Sequence, residues 1–123
     1  MKRILVIEDD QSQRNLFTTV LEKAGYLVVD APDGQKGLDL FKKEHCDLVI
    51  TDIFMPEKEG LETIIEIKAH HSEVKIIAVS GGGSIDPATI LKMANDFGAD
   101  CTLAKPINIS QLRDTVNYLL QKE

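Results

Sequence analysis

Hydrophobic positions along the chain change period repeatedly. Short apolar runs stand at Ile4 to Ile7, Leu27 to Val29, Leu48 to Ile50, Val74 to Val79 and around Cys101 to Ala104, most without two-residue alternation. Strands buried on both faces of a parallel sheet have this pattern, because neither face calls for polar residues. Between the runs, apolar residues recur every three or four positions. The sets are Leu16, Phe17, Val20, Leu21 and Ala24 before Gly25; Leu38 and Phe41 after Asp33; Leu61, Ile64 and Ile65; Ile90, Met93, Ala94 and Phe97 before Gly98; and Leu112, Val116, Leu119 and Leu120. Each set makes one buried stripe on an amphipathic helix. Gly25 marks a helix end, Pro87 a helix start, and Asn108 carries a side-chain oxygen able to cap the last helix.

The pattern predicts strands near 2–7, 26–31, 47–52, 74–80 and 100–104, alternating with five helices. Parallel strands joined through right-handed helical crossovers give an α/β, doubly wound sheet with helices on both faces. A chain of 123 residues suits one domain over 1–123, with no linker, repeat or low-complexity tract to divide it. Composition narrows the function more than the fold. Asp plus Glu number 20 against 14 for Lys plus Arg, a net charge of -6, and no basic helix offers a surface for phosphates. Nucleic-acid binding by this domain is therefore not expected. The opening run passes directly into Glu8-Asp9-Asp10, and no stretch is long and apolar enough to span a bilayer, so a cytoplasmic protein is expected. Cys46 and Cys101 are 55 positions apart, which fits two reduced thiols and no metal motif.

In a sheet of this kind ligands bind beyond the carboxyl ends of the strands, where the strand order reverses. Glu8, Asp9 and Asp10 end the first apolar run, Asp52 the third, Ser80 the fourth, and Lys105 follows the fifth. Taken singly, Asp9, Asp10 and Ser80 could be caps or turn residues, Asp52 a turn initiator before Pro56, and Lys105 solvent-facing. Their joint placement at one sheet edge is what indicates chemistry. Converging carboxylates repel one another unless a cation joins them, and hard oxygen donors suit Mg²⁺. A carboxylate in such a field can attack phosphorus, with Lys105 as a mobile cationic donor opposite. Asp52, isolated at the end of a central strand, is the expected nucleophile. Asp9 and Asp10 are expected to divide direct from water-mediated coordination, and Ser80 to hydrogen-bond the new phosphoryl group and move the Gly81 to Gly83 loop.

With these residues in place the sequence resembles the receiver domain of two-component response regulators, over essentially its whole length. Asp52-Ile53-Phe54-Met55-Pro56 followed by Gly60, and Gly98-Ala99-Asp100 leading to Lys105-Pro106, carry the likeness. The resemblance implies a flavodoxin-like (βα)5 fold with strand order 2-1-3-4-5. It also implies Asp52 as phosphoacceptor, Asp9, Asp10, Asp52 and the Phe54 backbone carbonyl around Mg²⁺, Ser80 and Lys105 as catalytic partners, and a cis Lys105–Pro106 peptide. A sensor histidine kinase or histidine phosphotransfer protein, or a small phosphodonor, would supply the phosphoryl group. The domain would catalyse its own phosphorylation and dephosphorylation, and a downstream effector protein or output domain would read a changed surface.

Two features depart from the family pattern, one at Thr102 and one at Phe54 and Gly82. Thr102 stands where many relatives carry Tyr or Phe, too small to fill the space a moving hydroxyl vacates, so signalling is expected to rest more on Ser80 and the glycine loop, or to require only phosphotransfer. Phe54 and Gly82 flank the expected route of a hydrolytic water and offer nothing to orient it, which predicts a long-lived phosphoryl group. Two other classes remain open: a phosphatase-like enzyme with an aspartyl intermediate, and a phosphorylation-independent interaction module. Gly81 to Gly83 lack the GK[ST] of a nucleotide loop. His45, His70 and His71 read as solvent-facing, Met55 and Met93 as packing, and Ile85, Ile90 and Leu91 as packing or a partner surface.

Overall fold

A computed structural model describes residues 1–53, 60–81 and 87–121, apart from the side chains at 87, 90, 91 and 94. The expectations placed on Phe54, Met55, Pro56, Gly82, Gly83 and Ile85, and on the Ile90, Leu91 and Ala94 side chains, lie outside the described residues. Strands and helices alternate along the chain: β1 (Arg3–Ile7), α1 (Gln11–Lys23), β2 (Leu27–Ala31), α2 (Gly34–Lys43), β3 (Leu48–Asp52), α3 (Gly60–His70), β4 (Lys75–Ser80), α4 (Pro87–Phe97), β5 (Cys101–Ala104) and α5 (Ile109–Gln121). All strand pairs are parallel, in the order β2-β1-β3-β4-β5. The order reverses between β1 and β3, and both strands end beside each other at that point.

All five strands begin one residue later than the predicted ranges, and for two of them the side chains explain it. Asp47, just before β3, accepts the Arg3 amide on Oδ2 at 2.9 Å while its own amide donates to the Arg3 carbonyl at 2.8 Å. Asp100, just before β5, does the same with Ile76 of β4, at 2.8 Å and 2.7 Å. Each aspartate lends a carboxylate where the ladder would otherwise use a carbonyl, and so sets the register of its strand.

The central strands bury both faces, and their side chains divide between two cores. Leu5, Ile7, Val49, Ile76 and Ala78 pack with Leu38 and Phe41 of α2 and Ile64 and Ile67 of α3. Ile4, Val6, Leu48, Ile50, Ile77 and Val79 pack with Phe17 and Leu21 of α1 and Leu112, Val116 and Leu119 of α5. On α3 the buried set is Gly60, Thr63, Ile64 and Ile67, whereas Ile65 is exposed. The expected stripe was shifted because Ile64 and Ile65 are equally apolar, and only the i, i+3, i+4, i+7 series through two small residues singles out the inward face. Phe97 and Ala24 are likewise exposed.

Helix ends obey local rules. Gly25, at φ +99°, closes α1 with its amide on the Glu22 carbonyl and the Tyr26 amide on the Leu21 carbonyl, the paired bonds of a glycine C-cap. Asn108 Oδ1 accepts the Gln111 amide at 2.9 Å to start α5. Among the described residues no helix is long and apolar enough to cross a membrane.

Candidate functional site

The carboxyl ends of β1, β3 and β4 deliver polar side chains that the strands themselves bury. Glu8 follows β1 and is 1% exposed, Asp52 ends β3 at 6%, and Ser80 ends β4 at 8%. Carboxylate oxygens of Glu8, Asp9 and Asp52 all lie within 4.8 Å of one another. Lys105, just past β5, bridges two of them, with Nζ 2.8 Å from Asp52 Oδ2 and 3.0 Å from Glu8 Oε1. Its position is fixed from behind, since the Lys105 amide donates to the Ser80 carbonyl at 2.8 Å. The Lys105–Pro106 peptide bond is cis.

The acidic pair falls one residue earlier than the sequence reading placed it. Asp10 stands outside the carboxylate cluster and is the N-cap of α1, with Oδ1 accepting the Gln13 amide at 3.0 Å. Glu8 takes its place, and Glu8 Oε2 accepts the Asp10 amide at 3.0 Å. The short aspartate side chain is the right length to reach an amide three residues on, and Asp10-x-x-Gln13 is a capping-box spacing that marks residue 10 as a cap. That signal was available in the sequence. Arg14 carried no such signal. Its Nη1 donates to the Glu8 carbonyl at 2.8 Å and its Nε lies 3.7 Å from Asp30 Oδ2, tying the turn after β1 to β2.

Burial and charge oppose each other in the cluster. Burial pushes the Glu8 carboxyl above its ordinary value of 4.5, against the Asp10 amide and the Lys105 ammonium, which pull it down, while neighbouring Asp9 adds to the rise. Burial alone would depress Lys105, but hydrogen bonds and charge from Asp52 and Glu8 raise it above 10.5. With all four groups ionised, three carboxylates and one ammonium carry two net negative charges, a set of hard oxygen donors capable of holding a divalent cation.

Two further predicted residues lie on β4 and β5. The Ser80 hydroxyl donates to the Gly81 carbonyl at 3.2 Å, at the same sheet edge. Thr102 is half-buried on β5 opposite Ala78, two positions before the end of its strand. Gly60, which sequence reading noted only as part of a motif, opens α3 against the Asp52 backbone and donates its amide to the Ile53 carbonyl at 2.8 Å.

Comparison with known proteins places this arrangement. A model of the family described as "Response regulator receiver domain" matches residues 4–117. Sporulation initiation phosphotransferase F of Bacillus subtilis is 30% identical over 119 residues, covering 97% of this chain and 94% of that protein. The transcriptional regulatory protein CpxR of Escherichia coli is 31% identical over 122 residues, covering 99% of this chain but 50% of CpxR, so the chain spans half the length of that relative. A solved CheY-like receiver domain protein from Methanospirillum hungatei superposes with a TM-score of 0.90 at 29% identity, over 99% of this chain and 95% of that one.

Proposed function

The chain belongs to the response regulator receiver domain family, and from that premise we propose that it is a single receiver domain over 1–123 that accepts a phosphoryl group on Asp52. The observation that carries this reading is the buried Asp52 carboxylate at the end of β3, 2.8 Å from Lys105 Nζ and clustered with Glu8 and Asp9. An Asp52 oxygen attacks phosphorus, the new O–P bond forms as the P–N bond of a phosphohistidine breaks, and the imidazole departs. Lys105, freed from the carboxylate as that oxygen becomes part of an acyl phosphate, moves its ammonium to a phosphoryl oxygen. Ser80 supplies a further hydrogen bond from the neighbouring strand.

Glu8, Asp9 and Asp52 are the described residues that would hold Mg²⁺, with the Phe54 carbonyl proposed as a fourth donor. When bound, the ion offsets charge on the transferring phosphoryl oxygens. Lys105 performs part of that task already, and the two remaining negative charges of the cluster match a dication.

The proposed donors are a sensor histidine kinase, a histidine phosphotransfer protein or a small phosphodonor, in the cytoplasm. The proposed reader is an effector protein or an output domain. Intact mass after incubation with a small phosphodonor, with and without Mg²⁺, tests the core of the proposal. One added phosphoryl group that needs the metal and is absent from Asp52→Asn supports it. No gain in folded, Mg²⁺-binding protein refutes it.

A further inference from the structure

The opposite edge of the sheet carries a second group of ligating side chains, which phosphotransfer does not use. His45 leads from α2 into β3, His70 ends α3 and His71 follows it. With Phe41 and Lys42 these histidines line a cleft of about 270 Å³. The His45 and His71 rings lie with centroids 5.2 Å apart and planes tilted by 58°. Phe41 meets His71 edge-on at 6.1 Å, which fixes that ring against the buried end of α2.

Each of the two rings has a carboxylate at one nitrogen. His45 Nε2 lies 3.4 Å from Asp47 Oδ1, and His71 Nδ1 lies 2.9 Å from Glu73 Oε1. The Glu73 carboxyl is held below its ordinary value by its own backbone amide and then by the charge of His71. Asp47 is itself anchored, since its other oxygen accepts the Arg3 amide at 2.9 Å. Asp47 and Glu73 thus stand beside one nitrogen of each ring, the side on which a carboxylate forms the second layer of a histidine metal site, and the other nitrogen is left to the ion.

We propose that His45 and His71 form a binding site for a divalent transition cation of the zinc class, through His45 Nδ1 and His71 Nε2. Two imidazoles on one tetrahedral ion, at metal–nitrogen distances of about 2.0–2.1 Å, place their ring centres about 5 Å apart, which is the separation found. Imidazole donors favour zinc, copper and nickel over the hard cation that suits the acidic cluster, so the two edges of the sheet select different metals. Water completes the shell. Lys42 places a like charge beside the site, so affinity in the micromolar range is expected rather than that of a closed structural zinc centre.

Untagged protein, in excess Mg²⁺ to occupy the acidic cluster, is titrated with Zn²⁺ by calorimetry while imidazole resonances are followed by NMR. One equivalent is expected to bind, with the His45 and His71 signals shifting. His45→Gln or His71→Gln should weaken binding roughly tenfold or more, at least as much as losing an outer partner costs, whereas Asp52→Asn should leave it unchanged. Both side chains are more than a third exposed, at 60% and 40%, so these variants keep the fold, and an unaltered melting curve verifies it. Zinc binding that survives the double histidine variant, or that disappears with Asp52→Asn, overturns the proposal.

Discussion

Replacing Gly60 with alanine should damage the site without touching any of its side chains. A Cβ at residue 60 would stand 2.0 Å from the Asp52 carbonyl oxygen, 2.7 Å from Ile53 Cα and 2.9 Å from the Asp52 carbonyl carbon, where real contacts essentially never fall below 3.0 Å. All three atoms are backbone, so no rotamer change relieves the clash. The end of β3 and the first turn of α3 must separate by about 1 Å, yet the Gly60 amide is bonded to the Ile53 carbonyl at 2.8 Å across the same gap. Overpacking of this kind costs about 1–3 kcal/mol, and the gain in helix propensity returns less than about 1 kcal/mol. At roughly 4 °C per kcal/mol for a chain of this size, the melting temperature should fall by about 4–8 °C. The larger effect is on chemistry, because a nucleophile misplaced by about 1 Å loses roughly a hundredfold in rate. Thermal melts and single-turnover phosphorylation by a small phosphodonor, read by intact mass, measure both. Gly25→Ala is the control. Nothing crowds that position, but its φ of +99° strains any side chain, so it should lower stability by about 1 kcal/mol with an unchanged phosphorylation rate. A Gly60→Ala protein that melts and reacts like wild type would refute the reasoning.

Asp9→Ala should abolish Mg²⁺ binding measured by calorimetry, whereas Asp10→Ala should lower stability by about 1 kcal/mol through the lost cap and leave Mg²⁺ affinity essentially intact; the reverse result would restore residue 10 to the metal site. Lys105→Met should tighten Mg²⁺ binding, since an ammonium no longer competes for Glu8 and Asp52, while slowing phosphorylation roughly a hundredfold, separable by titration and rate measurements. Because burial raises the Glu8 carboxyl, the metal-free site takes up a proton at a higher pH than the ordinary 4.5. Mg²⁺ affinity should therefore fall as pH is lowered, beginning above that value, and Glu8→Gln should weaken affinity but flatten this dependence in titrations between about pH 5 and pH 8.

Much of the architecture was legible because parallel strands and amphipathic helices leave different periods in the chain. Asp52 and Lys105 were legible for a related reason, as polar residues that terminate apolar runs. The acidic pair was harder. Glu8, Asp9 and Asp10 are consecutive and chemically alike, and which two face the sheet edge depends on where α1 begins, a question settled by the reach of Asp10 to the Gln13 amide. Long-range partners leave no local pattern at all. Arg14 on the Glu8 carbonyl, Gly60 against the Asp52 backbone, and the approach of His45 to His71 arise only when separate elements meet.

The sheet is also a partition. Val6 and Ile7 are chain neighbours, yet one packs with α1 and α5 and the other with α2 and α3. Substitutions sharing one layer compete for the same volume and should couple, whereas those on opposite layers meet only through strand backbone and should combine additively. The carboxylates stand where both layers end, Asp52 at the last residue of β3 and Glu8 and Asp9 just past β1. Either half of the interior can thus drift in sequence while the other holds the reacting groups in register, an insulation that lets a small domain acquire new surfaces without rebuilding its chemistry.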